Sequence, residues 1–419
     1  MNKTIRFAAM RNEPWQTWFV KLLCFLLCPF MAFLFSLRDL ASKSSYTIFF
    51  LFGVVFCWHM DSTGLGQYDD YIGISERFIQ NNETSLQYII EQLKLYITFS
   101  EYAPKEIYEL ILMWSVHQFT DNPHFYFAAA SIPFLYFLLR SLSFITRNGN
   151  FKLNTYTFLI LVLFVLPRDI ITVQNPRYST AVWMYIYAIL GYYSSPKLKI
   201  KYILIIFLTP LIHAGFWFNV SIFIIGLIAC NHIRKCYIAF LCSIPFAIPS
   251  FSILSEIDIG FLPGSISQAI SSHINHESIY NKLAGTGKSG FFWIGDSFIV
   301  LRQLAYIGAA IIIARTIIRH EHRFENNCLP AFLLVFYTAS NLIQSLPVIS
   351  ERSFFVVRIL CAYAWYIYVY PKMNHYLLVF ITACSWEIFN RYLYTGALYR
   401  VVPKDIFYYG LPKLILDFI

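Results

Sequence analysis

Three arginines stand where apolar runs meet polar turns in this 419-residue chain. Arg168 closes one run and Arg177 opens the next, with Asn175-Pro176 as the turn between them, so both guanidiniums should emerge at one membrane face. Arg352, after Pro347 and beside Glu351, holds a similar place near the start of a later run. A charged side chain at the centre of a spanning helix costs about 2.5–3.5 kcal/mol on insertion scales. Three such groups call for carboxylate partners, such as Asp169 or Glu351, or for an anionic ligand. A diphosphate suits a guanidinium cradle, because the planar fork of N–H groups bonds two oxygens at once.

His213 lies between two short apolar runs, Tyr202–Ile212 and Gly215–Cys230, where the chain should reverse. An imidazole there is either a hydrogen-bonded core group or a base or donor for a ligand. Asp69, Asp70, Glu106 and Glu109 belong to an acidic stretch, and Glu106 and Glu109, three apart, share a helix face. The many Tyr and Trp residues include interfacial belt positions and rings able to stack on sugars.

The elements that must hold these groups follow from composition. Hydrophobic residues make up 58% of the chain and charged residues only 13%, about half the share in soluble domains. That excludes a cytosolic enzyme, a disordered chain and a secreted disulfide scaffold. Apolar segments recur about twelve times, from Trp15–Leu37 and Tyr46–Trp58 to Phe354–Tyr370 and His375–Phe389. The expected fold is therefore all-α, a polytopic membrane helical bundle of about 12 spans forming one domain over 1–419. The net charge of +9 resides mostly in short alternate loops, carrying for example Arg38 and Lys43, Lys197 to Lys201, and Arg234 with Lys235. This assigns those loops to the cytoplasm and gives no sign of nucleic-acid binding. Long outer loops then cover 61–123 and 255–296. Within the first, Ser85–Thr98 and Glu106–Phe119 are expected as amphipathic helices at the membrane face. If Trp15–Leu37 is one span, however, the basic amino terminus with Lys3, Arg6 and Arg11 falls outside, against its charge.

Other signals are weaker. The nine cysteines sit in or beside apolar segments without close pairs, so neither a disulfide framework nor a metal site is expected. Gly285-Thr286-Gly287-Lys288-Ser289 lacks the leading glycine of a P-loop, since Lys282 stands there. His273, His276 and Glu277 match no zinc motif, and His320-Glu321-His322 reads as a charged interface. No cofactor is indicated. Glycine is scarce, so Phe, Tyr and Leu must fill the bundle.

In order, Asp70-Tyr71, Pro104-Lys105-Glu106-Ile107-Tyr108-Glu109, Pro176-Arg177-Tyr178-Ser179-Thr180-Ala181, Leu211-Ile212-His213-Ala214-Gly215 and Ser350-Glu351-Arg352 form a recognisable series. On these landmarks, over about 61–355, the chain resembles the EpsG-like, Wzy-type family of polysaccharide repeat-unit polymerases. It departs from the family where Ile107 replaces a usual Gly, and where Phe354 and Phe355 stand in place of a Tyr. The resemblance implies a C-type glycosyltransferase-like bundle in the bacterial inner membrane, working on the periplasmic side without metal. Its partners would be undecaprenyl-diphosphate-linked glycans (O-antigen, capsule or exopolysaccharide units), the bilayer and a chain-length regulator. A hydroxyl of one repeat unit would attack the anomeric carbon of the growing chain, and undecaprenyl diphosphate would leave. Arg168, Arg177 and Arg352 are the cations available for that diphosphate; His213, Glu106, Glu109, Asp70 and Glu351 are the candidate bases, and the sequence does not choose among them. A lipid-linked oligosaccharide flippase or exporter is the alternative, and a membrane glycan-modifying transferase a third reading.

Overall fold

The computed structural model describes residues 11–60, 70–80, 85–98, 100, 102, 104, 106–149, 151–194, 199–247, 292–319, 328–344, 347–394 and 404–416. Among these residues the regular elements are helices and no strand occurs. They are α1 (Trp15–Leu27), α2 (Pro29–Ser36), α3 (Lys43–Trp58), α4 (Asp70–Gln80), α5 (Leu86–Ile97), α6 (Tyr108–His117), α7 (Pro123–Thr146) and α8 (Thr155–Val165). After two 3₁₀ turns follow α9 (Pro176–Ser194), α10 (Lys199–Ile212), α11 (Phe216–Ala229) and α12 (Ile233–Ser243). The later helices are α13 (Phe292–Arg319), α14 (Cys328–Leu342), α15 (Pro347–Ala364), α16 (His375–Ile388) and α17 (Leu411–Leu416).

Among the described residues, four helical segments are long and apolar enough to cross a membrane: Pro123–Thr146, Thr155–Gln174, Ser297–Arg319 and Ile349–Val369. The core is aromatic, with Trp183, Trp365, Tyr126, Tyr185, Tyr337 and Tyr363 among its largest fully buried side chains. Glycines serve this packing locally. A Cβ at Gly53 would meet Leu135, one at Gly191 Tyr202, and one at Gly226 Phe332.

The amino-terminal expectation needs correction. The expected span Trp15–Leu37 is two short helices, because Cys28 is extended (φ −159°, ψ 102°) and Pro29 opens α2. Proline disfavours helical backbone at the residue before it and lacks the N–H needed to continue the ladder. The chain therefore turns back. Arg11 N–H donates to the Ala41 carbonyl (3.1 Å) and Lys43 N–H to the Arg11 carbonyl (3.3 Å), so both ends of the hairpin meet. Arg11 also pairs with Asp39. The conflict over the basic amino terminus disappears, since Arg11 stands with Arg38 and Lys43 at one end of the bundle.

Cysteine pairing is a second correction: Cys230 is bonded to Cys328, 98 residues away. The end of α11 and the start of α14 lie side by side, a neighbourhood that sequence spacing does not reveal. The 61–123 stretch follows expectation more closely. Ser85 caps α5 by accepting from Tyr88 N–H, and α6 begins just after Glu106. The glycine-lysine run at 285–289, the histidines at 273, 276, 320 and 322, and most of the loop 255–296 lie outside the described residues.

Candidate active site

Most of the singled-out residues meet at one end of the bundle, where α8 ends, α9 begins, α10 ends and α15 begins. The α8 helix closes in a 3₁₀ turn at Leu166–Arg168, and a second turn, Ile170–Gln174, is capped by Asp169 accepting from Ile171 N–H (3.1 Å). Pro176 then opens α9 with its φ already set for a helix. Arg177 consequently sits in the first turn of α9, beside the amphipathic helices.

The end of α10 fixes those helices in place. Its last carbonyls have no intrahelical donors. The Tyr96 hydroxyl donates to the Pro210 carbonyl (3.0 Å), and Ile107 N–H donates to the Leu211 carbonyl (3.4 Å). These two bonds draw α5 and the start of α6 against α10, which brings Glu106 to His213. Ile107 is a buried donor at this junction.

A continuous ion-pair chain results. Arg177 Nη1 donates to Glu106 Oε2 (2.6 Å) and its Nε lies 2.8 Å from Glu109 Oε2. The other oxygen of Glu109 lies 3.0 Å from Arg77 Nη2 on α4. Glu106 Oε1 lies 3.4 Å from His213 Nε2, and Arg352 Nη1 approaches that same nitrogen at 3.3 Å. Gly215 N–H donates to His213 Nδ1 (3.1 Å), so the neutral ring carries its proton on Nε2. A Cβ at Gly215 would lie 3.1 Å from the imidazole, which is why a residue without one suits the turn. Burial raises the Glu106 carboxyl above its ordinary range, with the Arg177 charge as the main opposing influence.

Arg168 and Arg352 converge on one aromatic residue. The Arg168 guanidinium lies 3.9 Å from the Phe355 ring centre and 4.4 Å from that of Tyr178, and Arg352 lies 5.1 Å from Tyr178. The Tyr178 hydroxyl donates to the Arg352 carbonyl (2.7 Å), while Trp183 Nε1–H donates to the Arg168 carbonyl (2.8 Å). Cation–π contact holds both guanidiniums without consuming their donors.

The structure thus brings together Arg168, Arg177, Arg352, His213, Glu106 and Glu109. Glu351 is exposed beside Arg352. Asp70 opens α4, and its side chain lies outside what is described. Asp169, expected as an arginine partner, accepts from the Tyr392 hydroxyl as well as capping its own turn. Arg177 is held by two carboxylates, Glu106 and Glu109.

Four charged residues were missed. Arg77 lies in the acidic stretch and extends the chain to a third guanidinium. Arg302 on α13 and Arg358 on α15 share Glu387 on α16, at 2.6 and 3.4 Å. The signal was in the sequence, since all three stand inside apolar segments, where charge is costly. Comparison with protein-family models, curated proteins and solved structures finds no match to this chain.

Proposed function

We propose that this protein is a polymerase of lipid-diphosphate-linked glycan repeat units, acting at the extracytoplasmic end of a bundle of about twelve membrane passes in the bacterial inner membrane. One observation carries the reading: at a single mouth, Arg77, Arg177, Glu106, Glu109 and His213 form one bonded chain, and two further guanidiniums, Arg168 and Arg352, lie beside it against the Tyr178 ring. Such a site favours an anion whose charge grows as the reaction proceeds.

In this reading Arg352 and Arg168, held by aromatic faces, stabilise the departing diphosphate. Arg177 and Arg77 hold Glu106 and Glu109 in place. His213 has Nδ1 filled by Gly215 N–H and its proton on Nε2, which favours Glu106 as the group that accepts the hydroxyl proton. The bond from the acceptor oxygen to the anomeric carbon forms as the bond to diphosphate breaks. The proton passes to Glu106 Oε1, where the His213 Nε2–H can steady the second lone pair. Short basic loops at the opposite end of the bundle support a cytoplasmic side there.

The test uses purified full-length protein with synthetic polyprenyl-diphosphate-linked repeat units and no nucleotide sugar. A ladder of lengthened products is expected. Passage of the substrate across a liposome without any growth would instead establish a flippase.

A further inference from the structure

The charged triad of Arg302, Arg358 and Glu387 borders a hollow that the reaction at the mouth does not use. Its lining is Arg302, Gln303, Tyr306, Tyr337, Phe354 and Arg358, and the space open to the centre of a water-sized sphere is about 10 Å³, room for one oxygen atom. The polar groups facing it are mostly donors. Tyr337 is wholly buried, and neither its hydroxyl nor Gln303 Nε2 has a hydrogen-bond partner among the described residues. Among the described residues two guanidiniums share one carboxylate there, so cations outnumber anions at membrane depth. Buried donors and surplus charge of this kind are costly unless an acceptor arrives.

We propose that this hollow is a second phosphoryl-binding subsite, taking one oxygen of a diphosphate. Arg302 lies within the candidate span Ser297–Arg319, and its neighbours Ile299, Val300 and Leu304 are exposed on the apolar surface. An anion reaching Arg302 from that side travels inside the bilayer, so it is carried on an apolar chain. Arg358 lies six residues beyond Arg352 on α15, about 9 Å along the helix. Phe355 joins the two places, with Arg168 at 3.9 Å and Arg358 at 5.3 Å from its ring centre. The subsite rests on the polymerase reading, in which two lipid diphosphates must be held at once, one departing at the mouth and one carrying the acceptor.

Titration calorimetry of the full chain in detergent with farnesyl diphosphate tests this. Two binding steps are expected. Replacing Tyr337 by Phe together with Gln303 by Leu removes two donors that bond nothing else, so the ligand-free unfolding temperature should hold while one step weakens about tenfold. Arg352→Ala should weaken the other step. Equal affinities in the double variant and the native chain would overturn the subsite. If Arg352→Ala changes neither binding nor polymerisation while the double variant weakens one step, the assignment at the mouth fails and the subsite stands. Inorganic pyrophosphate, titrated in parallel, separates the sources: weakening seen only with farnesyl diphosphate marks a lipid head group, and weakening with both marks a free anion.

Discussion

Buried charge is handled in opposite ways at the two ends of α3 and α7. At the hairpin end, Lys21 Nζ reaches Glu13 Oε1 (3.0 Å) and the hydroxyls of Ser42 (3.2 Å), Ser44 (2.7 Å) and Ser45 (2.9 Å). Glu13 also lies 4.0 Å from Arg11, which pairs with Asp39, so two cations meet two anions; the hydroxyls fill the remaining positions, and the Lys21 and Glu13 side chains are under 5% exposed. That cluster is closed and needs no ligand. At the mouth the chain from Arg77 through Glu109, Arg177 and Glu106 to His213 keeps Arg177 partly open, 26% exposed. The Lys21–Glu13 pair of the first cluster is closed to solvent, whereas the second cluster keeps part of its charge within reach of a ligand.

The sharpest way to break this contrast is to remove the central cation of each cluster. Arg177→Ala strands two carboxylates at once, and removing one partner of a buried pair costs about 3–5 kcal/mol. Long polymer should disappear entirely and lipid-linked single repeats should accumulate, as seen by gel analysis of extracted glycans. Full-length chains made by cells carrying only that variant would remove Arg177 from the site. Glu106→Gln should come next, with turnover reduced about 100-fold, within the range for a general base. Because the Glu106 carboxyl is raised from 4.5, native activity should fall on acidification with a limb above that value. The linkage sign is fixed: the stability this group contributes is full below 4.5 and is lost as pH rises through the raised value, so the ionised, reactive form is the one the fold disfavours. A pH–rate profile with its acid limb unchanged in Glu106→Gln would assign the limb to another group.

Lys21→Met offers the counterpart at the hairpin end. It should lower unfolding stability by about 3 kcal/mol through stranded Glu13. Adding Glu13→Gln should recover most of the loss, and turnover per folded molecule should match the native protein. A fall in turnover that tracks Lys21 rather than stability would erase the distinction between the two ends.

What the sequence made legible divides along the same line. Helical character and the amphipathic piece at 85–98 follow from periodicity, which is local, whereas the helix Tyr108–His117 is apolar without a distinct polar face. Glu106 and Glu109 could be placed on one face because three residues separate them, but their pairing with Arg177 spans 71 positions and depends on Tyr96 and Ile107 docking against α10. The hairpin at Cys28-Pro29 was readable from proline chemistry, yet the run Trp15–Leu37 looked long enough to cross unbroken. Arg302, Arg358 and Glu387 were visible as charges inside apolar segments. Their meeting across three helices was not, since no spacing rule relates helices 13, 15 and 16.

The smallest effect is expected at Cys230 and Cys328, which test the orientation of the whole comparison. Both lie at helix ends away from the mouth, next to the basic loop carrying Arg234 and Lys235. If the mouth faces outward, the pair faces the cytoplasm, where thiols are kept reduced. In intact cells a membrane-permeant maleimide should then label both residues, and an impermeant one neither. Cys230→Ser should change polymer yield by less than about twofold, because surface changes away from a site rarely shift stability by more than about 0.5 kcal/mol. Labelling by the impermeant reagent, or a bond that survives in freshly trapped cells, would turn the bundle over and place the arginine-rich mouth on the cytoplasmic side.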